Sequence, residues 1–501
     1  MAESGAGRAA VDALSSASRI APHADLRPAS APEWWIGFTH AWFDRLAALV
    51  LPIFYPRIIV HGAGRFPRRG AVLVFSNHPS TWADGVLMTV ALKRSMRFLV
   101  HAPLYHPRVR GWLLRAYGAL PMYHREDTPA AIAKNEDTTR ACHAAFDRGA
   151  AVATFPEGVS STDWRMRPFK SGAARTALGY VSGRSPGRAL TLIPVGIYYR
   201  DRTAFRGDVE ISVGEPIPIV ADAAVPDEPR AQAEALTVRM FDAMTALVVH
   251  AGDPETEALA RAMLPIVLPE RRAARASGAA ARRSAASLAC ARELVRALER
   301  LQTEDPDRRA ELDAGMIRYC EARDRLRLTD DELSRSAGAE SALRQAGWLL
   351  LALVVAPLAL AGWALHWFPA ALTKLAVRRY AGEPSRVGFG RVVAGFALFP
   401  CLYAIGGLML WRIPGLPAVQ IALILAAAAL LGFIELSSRS WIRRSLRRLR
   451  LRWLESRTPD RIADARQARA AVLALLAAER PGGAIAARLA VEPGVRTEGA
   501  A

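Results

Sequence analysis

Three long apolar runs near the C-terminal end limit what this chain can fold into. They are "AGWLLLALVVAPLALAGWALHWF" (346–368), "VVAGFALFPCLYAIGGLMLW" (392–411) and "VQIALILAAAALLGFIEL" (419–436). Each approaches the ~20 residues that cross a bilayer as a helix. A globular helix needs a polar face for water, and these runs have none. Segment 346–438 is therefore expected to be membrane-embedded. The flanking charges suggest an orientation. Loop 369–391 carries Lys374, Arg378, Arg379, Arg386 and Arg391, whereas loop 412–418 carries only Arg412. After the third run come Arg443, Arg444, Arg447, Arg448, Arg450 and Arg452. The positive-inside rule puts both basic segments in the cytoplasm. Runs two and three then form a transmembrane hairpin. Run one, with Pro357 at its middle, is expected to be re-entrant or interfacial, broken at the proline.

The formal net charge is +19, from 66 Lys+Arg against 47 Asp+Glu. Nucleic acid or an anionic membrane surface could want that charge. It clusters beside the apolar runs, and no helix-turn-helix, zinc-finger or RNA-recognition signature is present. The bilayer is the expected partner, and nucleic acid is not. Cys142, Cys290, Cys320 and Cys401 form no CxxC pair and no metal-ligand pattern, so no metal and a reduced compartment are expected. The opening "MAESGAGRAAVDALSS" has no apolar core of a signal peptide.

The remaining chain divides by composition. Residues 1–30 are small and polar and are expected to be disordered. Segment 31–55 is aromatic-rich, with Trp34, Trp35, Phe38, Trp42 and Phe43. It suits a helix at a membrane interface, or an aromatic helix packed on its own domain. Residues 56–225 alternate β-rich runs with helical stretches. The expected strands are Arg57–His61, Ala71–Ser76, Arg97–Val100, Ala151–Phe155, Leu190–Tyr199 and Val209–Val213, which reads as an α/β domain. Residues 226–345 read as helices, with a basic linker near Arg271–Arg283. Residues 439–501 form a basic helical tail.

Within the α/β segment, "FSNHPSTWADG" (75–85) follows an apolar run and gathers Asn77, His78, Ser80, Thr81 and Asp84. Five residues separate His78 from Asp84. On one helix the two side chains would point about 120° apart. A dyad therefore requires a turn after the strand. Pro79 resists an earlier helix start, and Ser80 or Thr81 can cap a later one. Asp84 could then hold one ring nitrogen and leave the other to accept a proton. Such a pair alone is a weak signal.

A second strand end, "TFPEGVSS" (154–161), brings Glu157 and Gly158 to the same kind of position. Gly158 permits close backbone approach to a ligand. "PFKSGAARTAL" (168–178) sets Lys170 at a helix start, a suitable place for an anion such as phosphate. "IPVGIYY" (193–199) reads as another buried strand. Structural readings stand beside each: Glu157 as a capped carboxylate, Lys170 as a solvated charge. His61, His101, His106 and His143 have no comparable company. Gly183-Arg184-Ser185-Pro186-Gly187 spells G-x-S-x-G, but a helical stretch precedes it and a strand follows. A nucleophile elbow needs the opposite order.

Taken together, these motifs resemble those of the glycerolipid acyltransferases, the PlsC-like family, over about residues 55 to 220. His78 and Asp84 match the family's His and Asp. "GALPMYHRED" (118–127) resembles the second motif, with its arginine at Arg125. Phe155-Pro156-Glu157-Gly158 matches the third motif and Ile193-Pro194-Val195-Gly196 the fourth. The family commonly has four residues between His and Asp, and Thr-Arg-Ser after the third motif. Here there are five, and Val159-Ser160-Ser161. Both departures are similar to the glycerol-3-phosphate/dihydroxyacetone-phosphate acyltransferase branch.

The resemblance implies an α/β fold: an acyltransferase-type mixed sheet flanked by helices, then a helical region and C-terminal membrane-embedded helices. It implies acyl transfer from acyl-CoA or acyl carrier protein to a glycerol-phosphate hydroxyl, with no cofactor. His78 would be the base and Asp84 its orienting partner. Arg125 and Lys170 would neutralise the acceptor's phosphate, with Glu157, Gly158 and Ser160 contributing to the substrate site. For Arg125 a surface ion pair is the structural alternative. The acceptor could instead be a lysophospholipid, or the fold could bind lipid without catalysis. The expected location is the cytoplasmic membrane, with the catalytic domain facing the cytoplasm.

Overall fold

A computed structural model describes residues 32–106, 108–124, 127–182, 189–200, 207–220, 229–268, 277–334, 342–380 and 384–477. Residues 1–30, Arg125 and Gly183–Gly187 lie outside the described residues, as does the tail from 478 onward.

Eight strands are present among the described residues: β1 Arg57–His61, β2 Val72–Ser76, β3 Met96–His101, β4 Leu120–Met122, β5 Ala151–Thr154, β6 Ala189–Tyr199, β7 Asp208–Val213 and β8 Ile217–Val220. They form one mixed sheet in the order β1-β7-β6-β2-β5-β3-β4, with β8 paired to β6. β2 runs parallel to both β5 and β6. β7 and β8 run antiparallel to β6. All six expected strands are there. β4 and β8 are additional. Each is short and contains a proline, Pro121 or Pro218, which mutes a strand signal.

Helices cover both faces. They are α1 Glu33–Phe54, α2 Ala83–Leu92, α3 Arg108–Ala116, α4 Pro129–Ala133, α5 Asn135–Asp147, α6 Gly172–Val181 and α7 Pro229–Thr245. Alternation along β2 divides the core. Leu73 and Phe75 pack with Phe146 of α5, Ala177 of α6 and Met240 of α7. Val72 and Val74 point the other way, onto Leu87 and Met88 of α2 and Leu51 of α1. A strand buried on both faces must be apolar throughout, which is why β2 reads as a continuous Val-Leu-Val-Phe run. The sheet's core extends beyond residue 225, through α7.

A second core lies in α8 Pro254–Val267, α9 Ser277–Glu304, α10 Pro306–Leu326, α11 Asp330–Leu333 and α15 Pro459–Ala477. Leu294, Leu298, Leu312 and Tyr319 pack there with Ile462, Val472 and Leu473. The C-terminal helix thus shares its core with segment 254–333. The expected basic linker at 271–283 is corrected in part. Residues 277–283 belong to helix α9, because its Ala- and Arg-rich sequence favours helix; 271–276 lie outside the described residues.

Three further helices are present among the described residues: α12 Ala342–Tyr380, α13 Pro384–Trp411 and α14 Ala418–Arg457. All three are long and apolar enough to cross a membrane. The expected break at Pro357 is not observed. α12 continues through both Pro357 and Pro369 for 39 residues. Its length is about 58 Å at 1.5 Å per residue, against a hydrocarbon core of about 30 Å. A membrane-length helix tolerates the lost N–H because neighbouring helices and local adjustment satisfy the freed carbonyl. Run one is therefore a continuous helix, not a re-entrant loop.

Candidate active site

The site forms where β2 and β5 end beside β6, which runs on to Tyr199. Phe75 of β2 pairs with Thr154 of β5 and Pro194 of β6. Ser76 still pairs with Val195; beyond it the segments that follow β2 and β5, with the end of β6, supply side chains. Asn77 extends the pairing with its side chain. Its Nδ2 donates to the Ile197 carbonyl at 2.9 Å, and its Oδ1 accepts the Ile197 N–H at 2.8 Å. This fixes the turn that follows.

The chain then turns through Pro79 and enters α2 at Ala83. The N-cap is Trp82, which makes no side-chain capping bond, so neither Ser80 nor Thr81 occupies the cap expected of it. Instead Asp84, in the first helical turn, reaches back. Its Oδ2 accepts the Ser80 N–H at 2.7 Å and lies 2.9 Å from His78 Nδ1. Its Oδ1 accepts the Tyr199 hydroxyl at 2.6 Å. Asp84 is fully buried, so these donors replace the water it lost. An acceptor-only carboxylate calls for a proton on His78 Nδ1, so in the neutral ring the lone pair is on Nε2. The Phe155 ring stacks on the imidazole at 3.8 Å, with 13° between planes, and holds its orientation. The strand–turn–helix geometry thus brings His78 and Asp84 together.

Tyr199 was not foreseen from sequence. It lies at the end of β6, 115 positions from Asp84. Burial foremost, then the neighbouring Asp84, pushes its phenol well above the ordinary value. The hydroxyl therefore keeps its proton and donates a hydrogen bond to Asp84.

Glu157 joins two strand ends. Its Oε1 accepts the His78 N–H at 3.3 Å, and its Oε2 accepts the Arg167 N–H at 3.1 Å. Burial raises its pKa, and those two amide bonds oppose the shift. Gly158 sits at φ +76°, in the left-handed region, and closes the turn after Phe155. A β-carbon there would lie 2.7 Å from Lys170 Nζ, so the lysine ammonium rests against this glycine. Lys170 is anchored by its own N–H to the Pro156 carbonyl at 2.9 Å, two residues before α6. Ser160 is half-buried in the same loop.

His78 and Glu157 face a cavity of about 40 Å³ whose walls include Asn77, Ser161, Trp164 and Tyr198. Gly158, Ser160 and Lys170 do not line it. The helical region supplies part of the wall through Val248 and Val249. It also clamps the loop after Glu157. Glu257 of α8 accepts the Trp164 N–H at 2.9 Å, and the Arg261 guanidinium lies 4.4 Å over the Trp164 ring. His250 Nδ1 accepts the Met166 N–H at 3.1 Å. Spacing along the chain gave no sign of these contacts.

The other histidines pair elsewhere. His61 lies 3.1 Å from Glu210. His101 stacks on His124 at 4.0 Å, and His143 bonds to the Thr176 carbonyl. Among the described residues no cluster of three His, Cys, Asp or Glu could hold a metal ion.

The same segment stands out by comparison with known proteins. Residues 57–198 match a family model described as Acyltransferase. A Schizosaccharomyces pombe protein described as an uncharacterized acyltransferase is 22% identical over 298 residues, which cover 42% of this chain and 44% of that one. A chloroplastic 1-acyl-sn-glycerol-3-phosphate acyltransferase of Brassica napus is 25% identical over 182 residues, 36% of this chain and 50% of its own. An Arabidopsis thaliana protein of the same description is 25% identical over 138 residues, 28% and 37% of the two chains. The chain thus spans half or less of the length of these relatives. The crystal structure of the 1-acyl-sn-glycerophosphate acyltransferase PlsC from Thermotoga maritima aligns with 48% of this chain and 90% of that one, at 16% identity and a TM-score of 0.28. Residues 57–198 therefore carry an acyltransferase-type domain, and His78, Asp84 and Glu157 lie within it.

Proposed function

We propose that the chain is a membrane-bound O-acyltransferase that moves a fatty acyl group from a thioester to glycerol-3-phosphate or dihydroxyacetone phosphate, in phospholipid synthesis. The observation that carries this is the His78 ring. Its Nδ1 is held by a buried carboxylate and its Nε2 is left as an acceptor.

A thioester is already activated, so the reaction needs a base and no protein nucleophile. His78 Nε2 takes the acceptor's hydroxyl proton while that oxygen attacks the carbonyl carbon. Asp84 stabilises the imidazolium that forms, and the Tyr199 hydroxyl steadies Asp84. When the tetrahedral intermediate collapses, the C–S bond breaks, and the imidazolium returns the proton to the departing thiolate. Positioning of this kind is worth ~10²–10⁴-fold in rate. Glu157 ties the His78 backbone to the Arg167 loop and keeps the base in register. Lys170 beside Gly158, at the N-terminal end of α6, supplies positive charge for the acceptor's phosphate, with Arg125 as its companion. Gly158 leaves room for the Lys170 side chain to lie against the loop, and Ser160 adds a hydroxyl to the same loop. The donor is acyl-CoA or acyl carrier protein, and no cofactor takes part. The three long helices hold the domain at the cytoplasmic membrane, with the site on the cytoplasmic side.

A second acceptor has specific support: two plant relatives are described as 1-acyl-sn-glycerol-3-phosphate acyltransferases. A panel of glycerol-3-phosphate, dihydroxyacetone phosphate, lysophosphatidic acid and other lysolipids, each with labelled acyl-CoA, separates the readings. Preference for lysophosphatidic acid moves the assignment to the second acceptor. No transfer to any of them, from acyl-CoA or acyl carrier protein, removes the enzyme reading.

A further inference from the structure

Outside the site, α1 leaves an apolar stripe uncovered. Trp34, Phe38, Trp42, Leu49 and Ile53 are 71%, 59%, 59%, 73% and 48% exposed. Their spacing of four or seven residues keeps them on one helix face. Ile36, Ala47 and Leu51 are the residues that α1 buries in the domain. Helix α3 repeats the arrangement. Val109, Trp112 and Leu113, at i, i+3 and i+4, are 72%, 57% and 55% exposed. Two adjoining helices with uncovered aromatic and aliphatic faces exceed the scattered apolar exposure normal for a soluble surface.

The two stripes belong to neighbouring parts of the structure. Thr39 of α1 donates to the Ala116 carbonyl at 2.6 Å, and His40 lies 2.6 Å from the Tyr117 carbonyl. A β-carbon on Gly118 would lie 2.8 Å from the Ile36 side chain. These contacts seat the C-terminal end of α3 on the first half of α1. At its other end, α1 meets the membrane-length helices, where a β-carbon on Gly395 would lie 3.6 Å from the Phe54 ring. Apolar surface therefore continues from α13 through α1 to α3. Of the exposed charges beside it, Arg45 and Arg108 are basic, and the acidic Glu33 is paired with Arg97 and Arg148. Tryptophan with arginine is the composition that lies at the level of anionic headgroups.

We propose that α3 is a second membrane-docking element, placed with α1 in the headgroup layer of an anionic bilayer, with Val109, Trp112 and Leu113 entering the acyl boundary. α3 follows β3, which runs parallel to β5. Docking there would turn the sheet end that carries His78 toward the bilayer surface. The proposal concerns the position of the domain and does not rest on the reaction proposed above.

The test uses the whole protein in vesicles of phosphatidylcholine and phosphatidylglycerol. A nitrobenzoxadiazole label is placed at Leu113→Cys, in a background with Cys320→Ser and Cys401→Ser. A lipid carrying a doxyl quencher near the headgroup reports contact. Val354→Cys in α12 and Ile317→Cys in α10 bracket the response. Quenching at position 113 at least half as large as at 354, with none at 317, is the expected result. Quenching at 113 no larger than at 317 overturns the proposal. A label shielded from aqueous iodide yet unquenched by lipid also overturns it, and assigns the face to a protein partner. The substitution replaces an exposed side chain, and Trp112→Cys gives an independent second position.

Discussion

The sheet domain and the three long helices use the same apolar residues in opposite directions. In β2, Val72, Val74 and Phe75 are no more than 1% exposed. In the long helices Leu350, Leu353 and Phe433 are 65%, 72% and 65% exposed. One region hides its apolar surface, and the other leaves it exposed on helices long and apolar enough to cross a membrane. Their polar groups differ in the same way. In the sheet domain, strands end and loops begin, so backbone N–H groups are free to hold Asp84 and Glu157. In the long helices the backbone satisfies itself. His366 is held there between helices by the Gly362 carbonyl at 2.8 Å and the Tyr403 hydroxyl at 2.7 Å, with its ring against Gly432. That arrangement pins helices together. The strand ends gather several polar groups around a cavity, and chemistry is proposed only for the latter.

Substitutions should separate the two regions. Phe75→Ala removes a ring from the sheet core and is expected to cost about 3–5 kcal/mol, read by pulse proteolysis in detergent. Tyr199→Phe removes one donor from a buried carboxylate, worth about 1–3 kcal/mol. It should lower kcat about 10-fold with little change in KM, since each 1.4 kcal/mol is a factor of ten. An equal loss in a binding assay would instead make Tyr199 purely structural. Glu157 gives a pH signature. Its folded pKa lies above the ordinary 4.5, so the native state holds this proton more tightly than the unfolded chain. The resulting stability is complete below about 4.5 and is lost as pH rises through the folded value. Glu157→Gln should flatten that decline in a pH series of unfolding curves. Leu353→Ala in α12 should shift stability by less than ~0.5 kcal/mol, because its side chain is 72% exposed.

Legibility in the sequence followed the locality of each interaction. β2 and β6 were readable because burial on both faces demands continuous apolar runs. The His78–Asp84 turn was readable because Pro79 and the five-residue gap exclude a single helix. Tyr199 was not, since only tertiary structure brings the end of β6 to the start of α2. The hold of Glu257, Arg261 and His250 on the loop around Trp164 was invisible for the same reason. β4 and β8 were hidden by their prolines and short length. Pro357 misled in the other direction, because α12 runs through it without a break.

The most direct test is acyl transfer by purified protein in bilayer nanodiscs, comparing wild type with His78→Ala at matched folding. His78→Ala should retain the fold and lose ~10²–10⁴-fold in the rate of labelled acyl incorporation. Incorporation by His78→Ala at the wild-type rate would contradict the account.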